Sequence, residues 1–153
     1  MISPETLRRF SLFAGIDPAM LKEVAMAGEE VTYAAGEWIF QEGDEAEALY
    51  LVLSGKLDLK IALGGGEHPK YADVCSLVEG EAAGMAALIE PHAYTLSAVA
   101  ASDVKLARLD GASLRELMDK NHEFGYKMMS RVAQVMSGRL NNLRVQLVSL
   151  AGD

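Results

Sequence analysis

Between Glu30 and Leu109 the chain falls into short runs, some alternating apolar and polar and some continuously apolar, each stopped by glycines or turn-forming clusters. Val31 and Tyr33 alternate before the turn Ala35-Gly36-Glu37. Trp38 to Gln41 forms a second run, stopped by Glu42-Gly43-Asp44-Glu45. Leu49 to Leu53 precedes Ser54-Gly55-Lys56, which reads as a tight hairpin. Leu57, Leu59 and Ile61 then alternate with Asp58 and Lys60 up to the loose hairpin tip Gly64-Gly65-Gly66. Tyr71 to Leu77, Tyr94 to Ala100 and Val104 to Leu109 complete the series. A period of two places successive side chains on opposite faces of a strand. About eight short strands at near-regular spacing restrict this region to a sandwich, jelly roll or small barrel.

The flanks have a helical period. Ser3-Pro4-Glu5 reads as a capped start with proline at the first helical position. Asp17-Pro18 repeats the signal, and Gly28 is expected to end that second helix. From Ser113 the chain reads as helical to its end, with Ser113 and Glu116 as a capping box. A break near Asn121-His122 separates a short helix from a long one, about Glu123 to Leu150. Met129, Ala133, Met136, Leu140, Leu143, Leu147 and Leu150 recur on the long helix at spacings of four and three, which is a heptad seam. Met128, Val132 and Val135 form a second stripe beside it. The stripes predict a helix that packs on its own barrel and offers the seam to a second copy. The alternative is that both stripes cover the barrel.

The length suits one domain with a real core. The expected layout is residues 1–28 as N-terminal helices, 29–110 as the β-barrel region, and 112–150 as C-terminal helices, all within a single domain, 1–153. No apolar run reaches a membrane span, and Met-Ile-Ser-Pro-Glu-Thr is no signal peptide. The single cysteine, Cys75, excludes an internal disulfide framework, a four-cysteine cluster and a zinc finger. A cytoplasmic location is expected. The net charge is −8. Residues 124–153 hold four bases (Lys127, Arg131, Arg139, Arg144) against the acid Asp153, so the first 123 residues carry the acidic excess. An acidic body repels polyanions, and nucleic acid is not expected as a partner.

Gly80 to Val99 holds a glycine-punctuated turn, a short alanine-rich helix ended by Pro91, and an alternating strand. A helix start beside glycines offers free backbone N–H groups to an anion. Together with Leu12-Phe13-Ala14-Gly15-Ile16, Ala35 to Asp44 and Tyr50 to Leu57, this stretch resembles the cyclic nucleotide-binding domain family, in its order of elements and over nearly the whole chain. The resemblance implies an α+β fold: a β-roll of the jelly-roll type (a double-stranded β-helix), N-terminal helices, a phosphate-binding cassette over 80–92, and a long C-terminal helix. It implies a stand-alone regulatory module without catalysis. Ligand sensing or signalling would run through that helix to a partner protein. Larger bacterial relatives append a DNA-reading helix-turn-helix after the long helix, and direct transcriptional control is expected here to require another subunit.

The family's cassette reads Phe-Gly-Glu-x-Ala-Leu followed by Pro-Arg. On this resemblance, Gly84, Ala86, Ala87 and Ala93 fall among the ligand-binding positions. The glutamate that accepts from the ribose hydroxyl falls on Met85, and the arginine that pairs with the cyclic phosphate falls on His92. Methionine is a weak acceptor, and histidine lacks the bidentate fork. Each lost charged contact in a closed pocket costs on the order of 2–5 kcal/mol, so cyclic nucleotide is expected to bind weakly. Arg139, four residues after Val135, is placed either toward the pocket mouth or snorkelling over apolar surface.

The alternatives are a dimeric scaffold of the same fold and a haem-based sensor using Cys75. Otherwise Cys75 is a small strand-end residue. His68 and His122 read as solvated surface. No metal site is expected, and Glu42, Asp44, Glu45 and Glu47 read as a solvated turn, since they lack calcium-loop spacing.

Overall fold

The computed structural model describes residues 1–152; Asp153, the last residue of the expected domain, lies outside them. Two four-stranded antiparallel sheets face each other. In chain order the strands are β1 (Gly28–Tyr33), β2 (Trp38–Phe40), β3 (Ala48–Ser54), β4 (Leu57–Leu63), β5 (Lys70–Leu77), β6 (Ala82–Ala83), β7 (Ser97–Ala100) and β8 (Val104–Asp110). One sheet is ordered β1-β8-β3-β6 and the other β2-β7-β4-β5. Helices α1 (Pro4–Arg8) and α2 (Pro18–Met26) precede the strands, and α3 (Gly111–Lys120) and α4 (His122–Gly152) follow them. This is the β-roll with a long C-terminal helix that the sequence implies.

The strand period sorts the apolar residues into two cores. Leu49 and Leu51 of β3, with Ala107 and Leu109 of β8, meet the helices. Ala48, Tyr50 and Val52 of β3, with Val104 and Leu106 of β8, face the other sheet. Both faces of this strand pair are therefore buried, which explains the unbroken apolar run Leu49 to Leu53. From α4, Met128 and Val132 enter the helix-side core, and Val135 packs at its edge. The Arg131 guanidinium donates to the Leu12 carbonyl at 3.2 Å, and the Lys127 ammonium to that of Gly15 at 3.3 Å. The first half of α4 is thus fastened to the N-terminal turn.

Several local expectations change. Ser54-Gly55-Lys56 does not close a hairpin: β3 and β4 lie in different sheets, and the turn carries the chain between them. The Ala35-Gly36-Glu37 turn between β1 and β2 also changes sheet, whereas Gly64-Gly65-Gly66 joins the true neighbours β4 and β5. Ser3 caps α1 as expected, accepting from the Glu5 N–H at 3.2 Å. Asp17 precedes α2 without a side-chain cap, and that helix ends on Ala27. Gly28 instead begins β1, where a Cβ would lie 2.7 Å from Leu109. The cap of α3 is Asp110 rather than Ser113. Its carboxylate accepts from the Ser113 N–H at 2.9 Å and hydroxyl at 2.7 Å, which starts the helix earlier and holds the Asp110 pKa below its ordinary value. Glu116 pairs with Lys120 on the surface instead.

Gly55 has φ +87°, and a Cβ there would sit 2.3 Å from the Asp103 carbonyl oxygen. Left-handed backbone and backbone overlap act together, so Gly55→Ala is expected to cost on the order of 3 kcal/mol. Urea unfolding checks this, and a midpoint unchanged from wild type contradicts it.

Candidate functional site

A cavity of about 540 Å³ opens between the cassette, the β2-β7-β4-β5 sheet and α4. Phe40, Leu59 and Ile61 line the sheet side, and Gly84, Met85 and Ala86 the cassette side. Tyr94, Thr95 and Leu96 come from the loop before β7, and Ala133, Met136, Ser137, Arg139, Leu140 and Leu143 from α4. The size suits a small-molecule site.

The cassette is built on left-handed glycine. Gly84 has φ +85°, and a Cβ there would approach the Ala48 carbonyl oxygen to 2.9 Å and the Tyr94 ring to 3.2 Å. The expected alanine-rich helix is the short 3-10 turn Met85–Leu88, which ends at Ile89, before Pro91. The Arg115 guanidinium of α3 donates to the Ala87 carbonyl at 2.5 Å. The Gly111 N–H donates to the Glu47 carbonyl at 2.8 Å. A side chain at Gly111 would meet both Glu47 and Ala87. The start of α3 is therefore pressed directly on the cassette.

The expected site residues divide. Gly84, Met85, Ala86 and Arg139 line the cavity; Ala87, His92 and Ala93 do not. Ala87 is fully buried in the inter-sheet core. His92 is held in the turn by its backbone: its N–H donates to Ile89 and its carbonyl accepts from Ala46 at 2.7 Å. Its φ of +56° turns the chain there. Ala93 bridges Glu45 as an isolated β-pair.

Tyr94 takes the inward place. Its ring stacks on Phe40 with centroids 3.8 Å apart, and its hydroxyl donates to the Ala48 carbonyl at 2.6 Å. Burial pushes the Tyr94 phenol up to about 12. The expected strand from Tyr94 shortens to Ser97–Ala100, yet alternation holds through the loop: Tyr94, Leu96 and Ala98 all face the inter-sheet core. That alternation is the signal that places Tyr94 inside, where spacing from Pro91 points to His92. Phe40, Leu59 and Ile61 are legible only as generic inward positions, since nothing local marks which stretch of a sheet borders a void.

Arg139 reaches the pocket, the first of the two placements considered for it. Its guanidinium is mostly withdrawn from solvent and donates to the Ala82 carbonyl of β6. Burial lowers its pKa, while Cys75 and Glu81 act in the opposite direction. Among the described residues no carboxylate lies within salt-bridge distance of it. Cys75 is half-buried, and its thiol is raised by burial and lowered by Arg139 and Asn142.

Neither histidine nor cysteine lines the cavity, so the residues present do not offer haem the Cys75 ligand that a haem sensor would use. The described residues contain no cluster of metal-ligating side chains. The acidic turn has structural work instead: Asp44 accepts from the Gln41 N–H, Glu42 from the Ala62 N–H, and Glu47 faces Arg108.

The seam on α4 is shared between two tasks. Ala133, Met136, Leu140 and Leu143 border the cavity, so they are not solely a contact for a second copy. Met129, Met136, Leu140 and Leu147 remain 37%, 40%, 68% and 67% exposed.

A β-roll whose glycine-built cassette faces a long helix across a cavity defines a regulatory ligand-binding fold. The profile of the cyclic nucleotide-binding domain matches residues 30–121, and the chain belongs to that family. A solved Geobacter metallireducens protein assigned to the cyclic nucleotide-binding proteins is 36% identical, with TM-score 0.81. The match covers 92% of this chain and 99% of that one. The cAMP-dependent protein kinase regulatory subunit of Dictyostelium discoideum is 31% identical over 70% of this chain and 32% of its own length. The cyclic AMP receptor protein of Thermus thermophilus is 35% identical over 64% of this chain and 44% of its own. The chain thus spans less than half of these two relatives. No described helix is long and apolar enough to cross a membrane.

Tyr94→Phe is expected to cost about 1 kcal/mol at neutral pH through the lost hydrogen bond. The phenol ionises at higher pH folded than unfolded, so the folded state holds that proton more tightly. Its contribution is complete below pH 10 and is lost as pH rises toward 12. Wild type should therefore lose its advantage over Tyr94→Phe across that window. Parallel unfolding curves at pH 8 and pH 11 check this; an equal or widening gap at pH 11 contradicts it.

Proposed function

We propose that the chain senses a small ligand in the β-roll cavity and reports its occupancy through α4 to a partner protein. The carrying observation is that one cavity is walled by the cassette on one side and by α4 on the other. A ligand there touches the element that must move, and it shifts that equilibrium only by its differential affinity for the two helix positions. The reading places the module in the cytoplasm and assigns it no catalysis.

cAMP and cGMP fit this cavity poorly. Met85 stands at the carboxylate position, and His92 does not reach the lining. Calorimetry is expected to give dissociation constants above about 1 μM, roughly −8 kcal/mol. Submicromolar binding of either nucleotide contradicts this.

The exposed seam favours a second element of the reading, a homodimer. Leu140 and Leu147 lie on one face of a helix whose buried anchors end at Val132. An apolar stripe of that length is unusual on a monomer surface, and a two-fold pair brings each residue against its own copy or a near neighbour. The contact would include Met129, Ala133, Met136, Leu140, Leu143 and Leu147. A dimeric scaffold is the alternative function that this seam supports. Light scattering should give about 33 kDa, twice the chain mass of 16.5 kDa. The pair Leu140→Lys and Leu147→Lys should reduce it to the monomer mass without unfolding the β-roll. A wild type that is monomeric at high micromolar concentration refutes the dimer, as does a double variant that stays dimeric.

A further inference from the structure

We infer that the cavity takes an apolar organic acid: a compact hydrocarbon or aromatic body carrying one anionic group, which Arg139 receives from the helix side. This rests on the proposed reading of the cavity as a ligand site and names the chemistry of its occupant.

The lining carries no aspartate or glutamate, and Arg139 is its one charged side chain. The other polar side chains facing the space are the hydroxyls of Thr95, Ser137 and Tyr94, and the last is committed to the Ala48 carbonyl. Leu59, Ile61, Met85, Met136, Leu140 and Leu143 make the remaining wall a surface for an apolar body. An arginine carries five N–H donors in a planar fork. Among the described residues this one donates a single hydrogen bond, to Ala82, and makes no ion pair. A guanidinium withdrawn from water with no carboxylate in contact is costly, and Glu81 acts on this one only at longer range. An anion in the cavity relieves that cost and engages the remaining donors, ideally a carboxylate in bidentate geometry. A neutral polyhydroxylated ligand finds few partners on such a wall.

The position of Arg139 has a further consequence. It projects from α4 and holds the Ala82 carbonyl of β6, one residue before the buried Ala83 and two before Gly84. An anion bound there joins the helix to the cassette strand through one side chain, so the ligand's charge acts directly on helix position.

Two probes with the same body separate charge from shape: 1-naphthylacetate and its neutral amide, titrated calorimetrically into the full chain at neutral pH. The acid is expected to bind at least about tenfold more tightly than the amide, the lower end of what a charge-assisted hydrogen bond contributes. Arg139→Gln should abolish the preference while leaving amide binding in place. Arg139→Lys, which keeps the charge without the fork, should retain part of it and guards against a folding defect in the glutamine variant. Ala133→Trp, which fills the cavity from the exposed side of α4, should remove binding of both probes. Equal affinity for acid and amide in wild type, or an undiminished preference in a folded Arg139→Gln, overturns the acid assignment and leaves the cavity as a ligand site. Absence of binding by both probes at millimolar concentration overturns the assignment together with the reading beneath it. Binding that survives Ala133→Trp unchanged places the probes outside the cavity and has the same effect.

Discussion

Two-sided burial of the β3-β8 pair is the constraint on which the rest depends. Odd-numbered residues of β3 feed the helical core, and even-numbered ones feed the core between the sheets. A one-residue slip of register would exchange the two sets and set Tyr50 against the helices. Neither core exists without this pair, because it is the shared wall. It also fixes the site. The Ala48 carbonyl on β3 receives the Tyr94 hydroxyl, and β6 pairs with β3 at Tyr50 and Leu51, which brings the cassette to the rim of the roll.

From that wall the cassette connects to the C-terminal helices by close backbone approach as much as by side chains. Gly84 and Gly111 each admit a contact that a methyl group would block, and Arg115 ties α3 to the Ala87 carbonyl. Helix α4 is fixed at its start by Met128 and Val132, and through Arg131 to the N-terminal turn. Beyond Val132 no α4 residue is fully buried. Its first half is anchored, and its second half touches the domain through the cavity wall, Arg139 and strand β5. Such an element is well suited to move with occupancy, since few buried contacts oppose its displacement.

The chemistry of the cavity follows from the same geometry. The cassette retains the left-handed glycine that shapes a binding turn, but the side chains aimed inward from it are methionine and alanine. The one charged side chain of the lining, Arg139, comes from α4. The proposed recognition from this cavity would therefore couple an apolar body to one anionic group held by α4. The relatives named for cAMP match this chain in sequence over part of their length.

The sequence by itself determined the elements and the family. Strand period, turn glycines and helix caps are local properties of the backbone, and they read correctly for Ser3, for the break at Asn121 and for the barrel-facing stripe of Met128, Val132 and Val135 on α4. The glycine-marked turns and the cassette likewise pointed to the cyclic nucleotide-binding domain. Which turns are hairpins was not legible, because Gly55 supplies the same left-handed corner whether the chain returns to the same sheet or crosses to the other. Cap choice at α3 was decided by Asp110 at the end of β8, where strand and helix share a residue boundary. Only the tertiary structure placed Tyr94 rather than His92 at the cavity, since backbone bonds to Ile89 and Ala46 hold His92 in the turn. It alone brought Arg139 beside Ala82, 57 residues away in sequence. Local pattern shows which face a residue occupies; the void that gives a face its chemistry exists only when distant segments fail to fill the space between them.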